Sequence, residues 1–243
     1  MSSFPDYFSG HAALYAASRP TYPERTIAEL ARLAPGRTQA WDVGTGNGQA
    51  ARLLAGHFDR VFASDASAAQ IAHAPPHARV TFAVEPAEQC SLPGSSCDLI
   101  VAAQCFHWFD RPRFFAEARR VLRAGGLFVA LGYGWWYVDP QVDGIVGEQL
   151  LKPLEPHWLA GNWLLSDGYR GVDFPGEEVR VTPGAIHLAW ERHELEAYIL
   201  SWSAVQRVGL AITEPAFASL RAAWPDGQKR HVTMPLAIRA VRF

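Results

Sequence analysis

The residues with the clearest chemical meaning are three glycines flanked by two carboxylates. Gly44, Gly46 and Gly48 lie in the stretch WDVGTGNG, between a short apolar run and an Ala/Leu-rich segment. Glycines in a turn from strand to helix let the main chain approach a ligand closely, because no Cβ stands in the way. Asp42 precedes the turn and favours a ligand with positive charge. Asp65 follows the glycines by about 20 residues, the place from which a carboxylate binds ribose hydroxyls. Together they predict an adenosine-type cofactor with a cationic head.

The glycine turn leaves other functions open. Dinucleotide enzymes show G-x-G-x-x-G, whereas this chain reads G-T-G-N-G-Q, with Gln49 where the third spaced glycine would fall. Asp42 would also repel a pyrophosphate. A nicotinamide-dependent oxidoreductase is therefore the weaker alternative. A non-catalytic module that binds the cofactor without turnover is a second one.

A histidine follows the fourth predicted strand, in the stretch AAQCFHWFD. We expect His107 to hydrogen-bond an acceptor molecule or to act as a base, and a purely structural role is the alternative. We predict no metal site: His73 and His77 are four residues apart, but Pro75 and Pro76 interrupt the helix between them. A nucleophilic cysteine is also disfavoured, since Cys105 has no visible activating base.

Alternating strand and helix patterns predict the scaffold. Runs such as LIVAA and LFVAL are continuously apolar, which is typical of parallel strands covered on both faces. The pattern predicts an α/β fold, doubly wound, with a mostly parallel seven-stranded sheet. Strands are expected at 39–43, 60–65, 79–84, 97–104 and 126–133, and at EEVRVT and VTMPLAIRAVRF. Helices are expected at 22–34, 49–56, 66–74 and 111–123, and through HELEAYILSWSAVQRVG and EPAFASLRAAW.

The segment after Gly134 has a different character. It holds four tryptophans and several prolines up to Gly171, and no clear strand. We expect a helical or irregular lid over the carboxyl edge of the sheet, where ligands bind in open α/β folds.

Composition excludes several classes of protein. With 22 basic and 24 acidic residues, the formal charge of −2 offers no general attraction for nucleic acid. No apolar run reaches the roughly 18 residues of a membrane span, and no signal peptide is recognisable, so the predicted location is cytoplasmic. The three cysteines are expected to be reduced and structural. The arginine-rich segment 111–123 is interpreted as a solvated helix face.

Several motifs, in order and spacing, resemble those of class I S-adenosylmethionine-dependent methyltransferases. They are WDVGTGNG, Asp65 in FASDAS, EPAEQCSLPGSSCDLI, AAQCFHWFD and VLRAGGLFVALGY. The elements HWF, YAASRPTYP and AYILSWSAVQR are similar to the type 11, trans-aconitate methyltransferase-like branch. The resemblance covers nearly the whole chain. It implies one methyltransferase domain over 1–243, with an N-terminal lid or helix (1–36), a cofactor-binding core (37–133), and a substrate region with the C-terminal strands (134–243).

The resemblance also implies the cofactor, S-adenosylmethionine, and its product S-adenosylhomocysteine. It places a set of residues around the methionine part: Asp42, Gly44, Thr45, Gly46, Asn47 and Gly48. Asp65 would bind the ribose, Ala66 would lie beside the adenine, and Gln104 would touch the central portion. Pro86 stands where this group often has a polar residue, so the adenine contact would use the Ala87 backbone and Glu88. Tyr15 and Arg19, with Tyr22, resemble the lid over the cofactor.

The predicted acceptor is a small organic molecule, with no nucleic-acid or membrane partner. Methylation of a carboxylate oxygen is implied by the trans-aconitate-like resemblance. The expected wall of the acceptor site is Trp108, Tyr133, Trp135, Trp136, Trp202 and Arg207. Arg207 would pair with an acidic substrate, and Trp108 would either stack on the cofactor or fill the core. The oligomeric state is left open.

Overall fold

The computed structural model describes residues 19–210 and 215–243. Its strands are β1 (Gln39–Val43), β2 (Arg60–Asp65), β3 (Val80–Val84), β4 (Cys97–Ala103), β5 (Leu122–Tyr133), β6 (Glu177–Glu178), β7 (Ala185–Trp190) and β8 (Arg230–Arg242). Its α-helices are α1 (Glu24–Leu33), α2 (Gln49–Leu54), α3 (Ala68–Ala72), α4 (Arg111–Val121), α5 (Pro140–Val146), α6 (Lys152–Leu154), α7 (Ala160–Ser166), α8 (Arg192–Leu200), α9 (Ser203–Val208) and α10 (Pro215–Ala223). In this part of the chain no helix is both long and apolar enough to cross a bilayer.

The sheet is mostly parallel and is covered on both faces. Its strand order is β3-β2-β1-β4-β5-β8-β6, and β7 pairs with β8. Strands β1 to β5 are parallel to one another, whereas β8 is antiparallel to β5. Successive residues point to opposite faces: Leu99 packs in one hydrophobic cluster with α1 and α2, and Ile100 packs in the other with α4. The predicted doubly wound α/β fold is confirmed.

Several predicted elements differ from the observed ones. The sheet has eight strands instead of seven, because AIHLAW, residues 185–190, was not recognised as a strand although it pairs with β8 throughout. EEVRVT contributes only two residues to the sheet, Glu177 and Glu178. The single helix predicted through HELEAYILSWSAVQRVG is two helices, since Trp202 takes an extended backbone conformation and its side chain is buried.

The arginine-rich helix α4 is not simply a solvated face. Arg120 forms an ion pair with Glu117 at 2.6 Å and donates to the Leu92 carbonyl at 2.8 Å. Just beyond the helix, Arg123 pairs with the buried Asp98 at 2.9 Å. These two arginines anchor the loop before β4, so the prediction was wrong for them. The three cysteines are free, as predicted.

The lid region after Gly134 consists of short helices. A π-helical turn over Gly147–Leu151 follows α5 directly, and a 3₁₀ turn over Glu155–His157 follows α6. A further 3₁₀ turn, Phe106–Trp108, follows β4. Helix α7 packs on that turn so closely that a Cβ on Gly161 would lie 2.7 Å from the His107 carbonyl oxygen. The lid is thereby fixed to the carboxyl end of β4.

Candidate functional site

The turn after β1 lines the cavity above the sheet, and two of its glycines are required by its backbone conformation. Gly44 and Gly48 have φ of +66° and +83°, a region that favours glycine. A Cβ on Gly44 would lie 2.7 Å from the Cys105 sulfur, and one on Gly48 would lie 2.8 Å from Phe82. Gly48, which was predicted to contact the cofactor, is buried and is not among the residues that line the cavity. Its role is to let the turn pack on β3.

Asp42 lies behind the turn and not on the cavity wall. Its side chain is fully buried, and one carboxylate oxygen accepts a hydrogen bond from the Thr45 hydroxyl at 2.5 Å. Burial raises its pKa to about 7, against the lowering effect of the Thr45 hydrogen bond. The predicted contact between Asp42 and the cofactor is therefore not seen, because Asp42 does not line the cavity. Asp42 instead stabilises the turn through its hydrogen bond with Thr45.

Asp65 does reach the cavity, at the carboxyl end of β2. It accepts hydrogen bonds from the backbone N–H groups of Gly46 at 2.9 Å and Ser67 at 2.8 Å. A carboxylate can accept about four such bonds, and ligand hydroxyl groups are suitable donors to it. Asp65 thus holds the glycine turn and faces the space above it.

The cavity above the turn has a volume of about 630 Å³. Most of the residues predicted from the sequence meet there: Arg19, Gly44, Thr45, Gly46, Asn47, Asp65, Ala66, Ala87, Glu88 and Gln104. Tyr15 lies outside the described residues. Sequence reasoning missed further members of this wall: Ser67, Gln70, Glu85, Cys105, Phe109, Asp110 and Arg113. Of these, Glu85 directly follows β3. Because ligands of open α/β sheets bind at the carboxyl ends of the strands, its position could have been predicted from the sequence.

Glu88 and Asp110 connect two loops at the far end of this cavity. The Glu88 carboxylate accepts a hydrogen bond from the Asp110 backbone N–H at 2.9 Å. Asp110 in turn caps α4 by accepting from the Arg113 N–H at 3.3 Å. The loop after β3 and the start of α4 are therefore held together next to Pro86 and Ala87.

A second cavity, of about 510 Å³, joins the first. The two share Arg19, Gln104, Trp108 and Tyr133. Five tryptophans line the second cavity: Trp108, Trp135, Trp158, Trp163 and Trp202. The guanidinium of Arg19 lies over the Tyr198 ring, 5.1 Å from its centroid. We call these the cofactor cavity and the acceptor cavity, and the four shared residues form the junction.

His107 lines the acceptor cavity but is an unsuitable base. Burial, together with the smaller effect of the Arg19 charge, lowers its pKa to about 3, so the ring is neutral at physiological pH. Its Nδ1 lies 3.4 Å from the Tyr169 hydroxyl, and burial also raises the pKa of that hydroxyl. The ring packs 4.6 Å from Trp108, centroid to centroid. His107 can offer a hydrogen bond, but it does not readily take up a proton.

Two residues predicted for the acceptor wall lie elsewhere. Trp136 is fully buried and lines neither cavity; it stacks on Trp135 at 5.2 Å, and Trp135 is the residue of the pair that reaches the wall. Arg207 is exposed on α9 and lines neither cavity, because the last turn of that helix points away from the site. Trp108, Tyr133 and Trp202, which were also predicted for the acceptor wall, line this cavity.

Comparison with known proteins assigns the site to a family. Residues 41–130 match the methyltransferase domain family. A Dictyostelium discoideum protein named as a methyltransferase is 30% identical over 208 residues, which cover 83% of this chain and 78% of that protein. A solved structure from Anaeromyxobacter dehalogenans, named as a type II methyltransferase, is 41% identical with a TM-score of 0.85 and covers 92% of this chain and 97% of that one. A yeast protein named as an S-adenosylmethionine-dependent methyltransferase is 27% identical, covering 54% of this chain and 46% of its own.

The parallel sheet, the glycine turn and the acid ending β2 define a class I methyltransferase. The chain belongs to the S-adenosylmethionine-dependent methyltransferases, and S-adenosylmethionine is its cofactor. The cofactor cavity fits this molecule in chemistry and size. It offers turn backbone, the Asp65 carboxylate and apolar residues such as Ala66 and Ala87, and its volume lies in the range of roughly 300–1,000 Å³ typical of ligand pockets. The oxidoreductase alternative is thereby set aside.

Proposed function

We propose that this enzyme transfers the methyl group to a carboxylate oxygen of a small organic acceptor bound in the acceptor cavity. The observation that carries the proposal is the charge pattern of that cavity, whose described residues place a cation at the junction and offer no effective base. Arg19 lies at the junction, and its charge is felt by His107. A carboxylate is already ionised at neutral pH, so it needs no base to become a nucleophile.

The acidic side chains of the acceptor wall are poorly placed to remove a proton. Within the described residues these are Glu148 and Glu155, and both are exposed. Glu148 is also paired with Lys152 at 2.5 Å. A hydroxyl acceptor would need a base, which the described residues of this wall do not offer, whereas an acid only needs orientation by Arg19.

In this proposal the described side chains bind, orient and exclude water. Asp65 and the backbone of the glycine turn hold the cofactor, which when bound supplies a methyl group on a positively charged sulfur. Arg19 orients the acceptor carboxylate at the junction, and Trp108 and Tyr133 close the space around it. Alignment of this kind can lower a barrier by roughly 7 to 11 kcal/mol.

In this proposal each part of the chain has its own role. We take 1–243 as one domain in which 37–133 binds the cofactor and 134–243 forms the substrate region and the last strands. The N-terminal part, 1–36, acts as the lid, and of it only 19–36 lies within the described residues. The cytoplasmic location stays a prediction.

The test uses the chemical nature of the product. Incubation with methyl-labelled cofactor and a panel of carboxylic acids should give label that mild alkali releases as methanol, since methyl esters hydrolyse and methyl ethers and amines do not. Arg19→Gln should lower kcat/KM for the acid about 10- to 100-fold, the loss expected for a charged hydrogen bond, and Arg19→Lys should retain part of it. Alkali-stable label from phenols or amines, with none from acids, would contradict the proposal.

A further inference from the structure

We infer that the acceptor is an aromatic carboxylic acid, and that Gly147 and Asn162 set its size and its polar substituent. The inference rests on the proposed function for the carboxylate and adds the rest of the molecule. Three features of the acceptor cavity carry it: its tryptophan faces, one missing side chain and one polar atom without a partner.

Of the tryptophans that line this cavity, only Trp202, at 5% exposed, is buried as deeply as a core residue. Of the nine tryptophans in the chain, five line the cavity. The other four are Trp41, Trp136, Trp190 and Trp224, and all are at most 8% exposed. Trp163, by contrast, is 49% exposed although it lines the cavity. Aromatic side chains around a space of this size favour a ligand that also carries a ring, because ring pairs gain beyond simple burial.

Gly147 keeps part of this space open. It lies in the π-helical turn at the cavity wall, with ordinary helical φ and ψ of −58° and −53°. Its backbone therefore does not require glycine, and a glycine inside a helix lowers stability relative to alanine. A Cβ at this position would meet nothing within 4 Å. The absence of a side chain at Gly147 leaves room for a ligand larger than a single ring.

Asn162 supplies a polar group that the protein itself does not use. Its Oδ1 is buried, and it has no hydrogen-bond partner in the part of the chain that the structure describes. The residue lines the acceptor cavity, and its neighbour Gly161 is held tightly against the His107 carbonyl. Buried polar atoms are nearly always paired. A polar substituent on the acceptor would satisfy this amide, which offers both donors and an acceptor.

Four acids serve as probes, each titrated into enzyme loaded with S-adenosylhomocysteine and also assayed as a methyl acceptor. They are benzoic acid, 2-naphthoic acid, 6-hydroxy-2-naphthoic acid and the aliphatic tricarballylic acid. We expect 2-naphthoate to bind at least about 10-fold more tightly than tricarballylate. The hydroxyl group should add about two- to tenfold through Asn162. Tighter binding of tricarballylate than of either naphthoate would overturn the inference.

The glycine is tested with a matched control on the same helical segment. Gly147→Leu should weaken 2-naphthoate binding at least about 10-fold, with benzoate much less affected and S-adenosylhomocysteine unchanged. Gly144→Leu is the control, because a Cβ at Gly144 also meets nothing within 4 Å but the residue does not line the cavity. Equal effects of the two substitutions, or none from Gly147→Leu, would contradict the assignment.

Asn162→Ala tests the polar contact by a ratio that a folding defect does not change. In the native enzyme the hydroxynaphthoate should be preferred over the naphthoate, and the variant should bind the two alike. An unchanged ratio would exclude Asn162 as the contact.

Failure of the carboxylate proposal would look different from failure of this inference. Methylation of 2-naphthol but not 2-naphthoate, with Gly147→Leu blocking it, would support the ring preference and contradict the carboxylate. Esterification of tricarballylate with no binding of either naphthoate would overturn the ring preference and leave the carboxylate proposal standing.

Discussion

The side-chain amide of Gln104 forms two hydrogen bonds with the backbone of Tyr133. Its Nε2 donates to the Tyr133 carbonyl and its Oε1 accepts from the Tyr133 N–H, both at 2.9 Å. Gln104 itself has φ of +62° and donates its backbone N–H to Leu131 at 2.8 Å. The side chain thus continues the pairing of β4 with β5 beyond the point where the β4 backbone turns away. Since both residues line both cavities, this pair fixes the junction.

Gln104→Asn should disturb the junction without straining the backbone. Asparagine tolerates positive φ, but its shorter amide does not reach both Tyr133 groups. We expect the free energy of unfolding to fall by about 1 to 3 kcal/mol and kcat/KM for the acceptor to fall about 10-fold or more. Denaturant unfolding and steady-state kinetics measure the two effects. Gln141→Asn, on an exposed position of α5, is the control, and equal kinetics in both variants would argue against a fixed junction.

Asp65→Ala should weaken cofactor binding by about 1.5 to 3 kcal/mol, the range for losing hydrogen bonds to a charged group. The loss has two sources, the missing ribose contact and the freed N–H groups of Gly46 and Ser67. Titration calorimetry with S-adenosylhomocysteine measures it. Asp59→Ala, an exposed position just before β2, should bind like the native enzyme. Unchanged affinity in a folded Asp65→Ala protein would show that this carboxylate does not contact the cofactor.

Asp42 should make stability depend on pH in an unusual direction. The pKa of Asp42 is raised from 3.8 to about 7 by burial. The folded protein therefore keeps a proton on Asp42 up to about pH 7, whereas the unfolded chain releases it near pH 4. Between these values the folded state binds more protons, so this residue's contribution to stability falls as pH rises. The fall is at most about 1.4 kcal/mol per pH unit and stops above the raised pKa.

The comparison with Asp42→Asn isolates this effect, because the amide oxygen can still accept from Thr45. The lowered pKa of His107 acts in the opposite direction over a similar range, but it is common to both proteins. We expect the variant to gain stability relative to native enzyme steadily from pH 4 to pH 7. Urea unfolding at intervals of one pH unit provides the measurement. A difference that does not change with pH would mean that Asp42 is ionised throughout.

His107→Gln should retain most of the activity, and His107→Ala should lose more. Glutamine can still hydrogen-bond in the space beside Tyr169, and a ring with a pKa of about 3 contributes little as a base above pH 5. Cofactor affinity should be nearly unaltered in both variants. The pH profile of kcat/KM between 5 and 8 is the measurement. A titration near pH 6 to 7 that disappears in His107→Gln would assign a base role to His107.

The sequence patterns that depend on local geometry predicted the fold, and they pointed to residues that lie together on one cavity. Continuous apolar runs predicted the buried parallel strands, and the spacing from the glycines to Asp65 placed that carboxylate on the cavity wall. Both signals follow from rules that hold within one strand–helix–strand unit. They needed no knowledge of which distant residues pack together.

The acceptor side was harder to predict because its residues are sorted by tertiary packing. Trp135 and Trp136 are adjacent and identical in type, yet one faces the cavity and the other is fully buried. Arg207 lies on a helix whose direction is set by the break at Trp202. Asn162 gave no signal at all, since a polar residue on a short helix is ordinarily solvated. Asn162 lies at the cavity wall only because α7 packs on the turn after β4.

The central claim is that the glycine turn and Asp65 form the binding site of S-adenosylmethionine. Titration calorimetry of the purified, folded protein with S-adenosylhomocysteine and, in parallel, with NADH tests it most directly. The account predicts saturable one-to-one heat with S-adenosylhomocysteine, reduced in Asp65→Ala, and none with NADH. No heat with S-adenosylhomocysteine, or saturable binding of NADH instead, would contradict it.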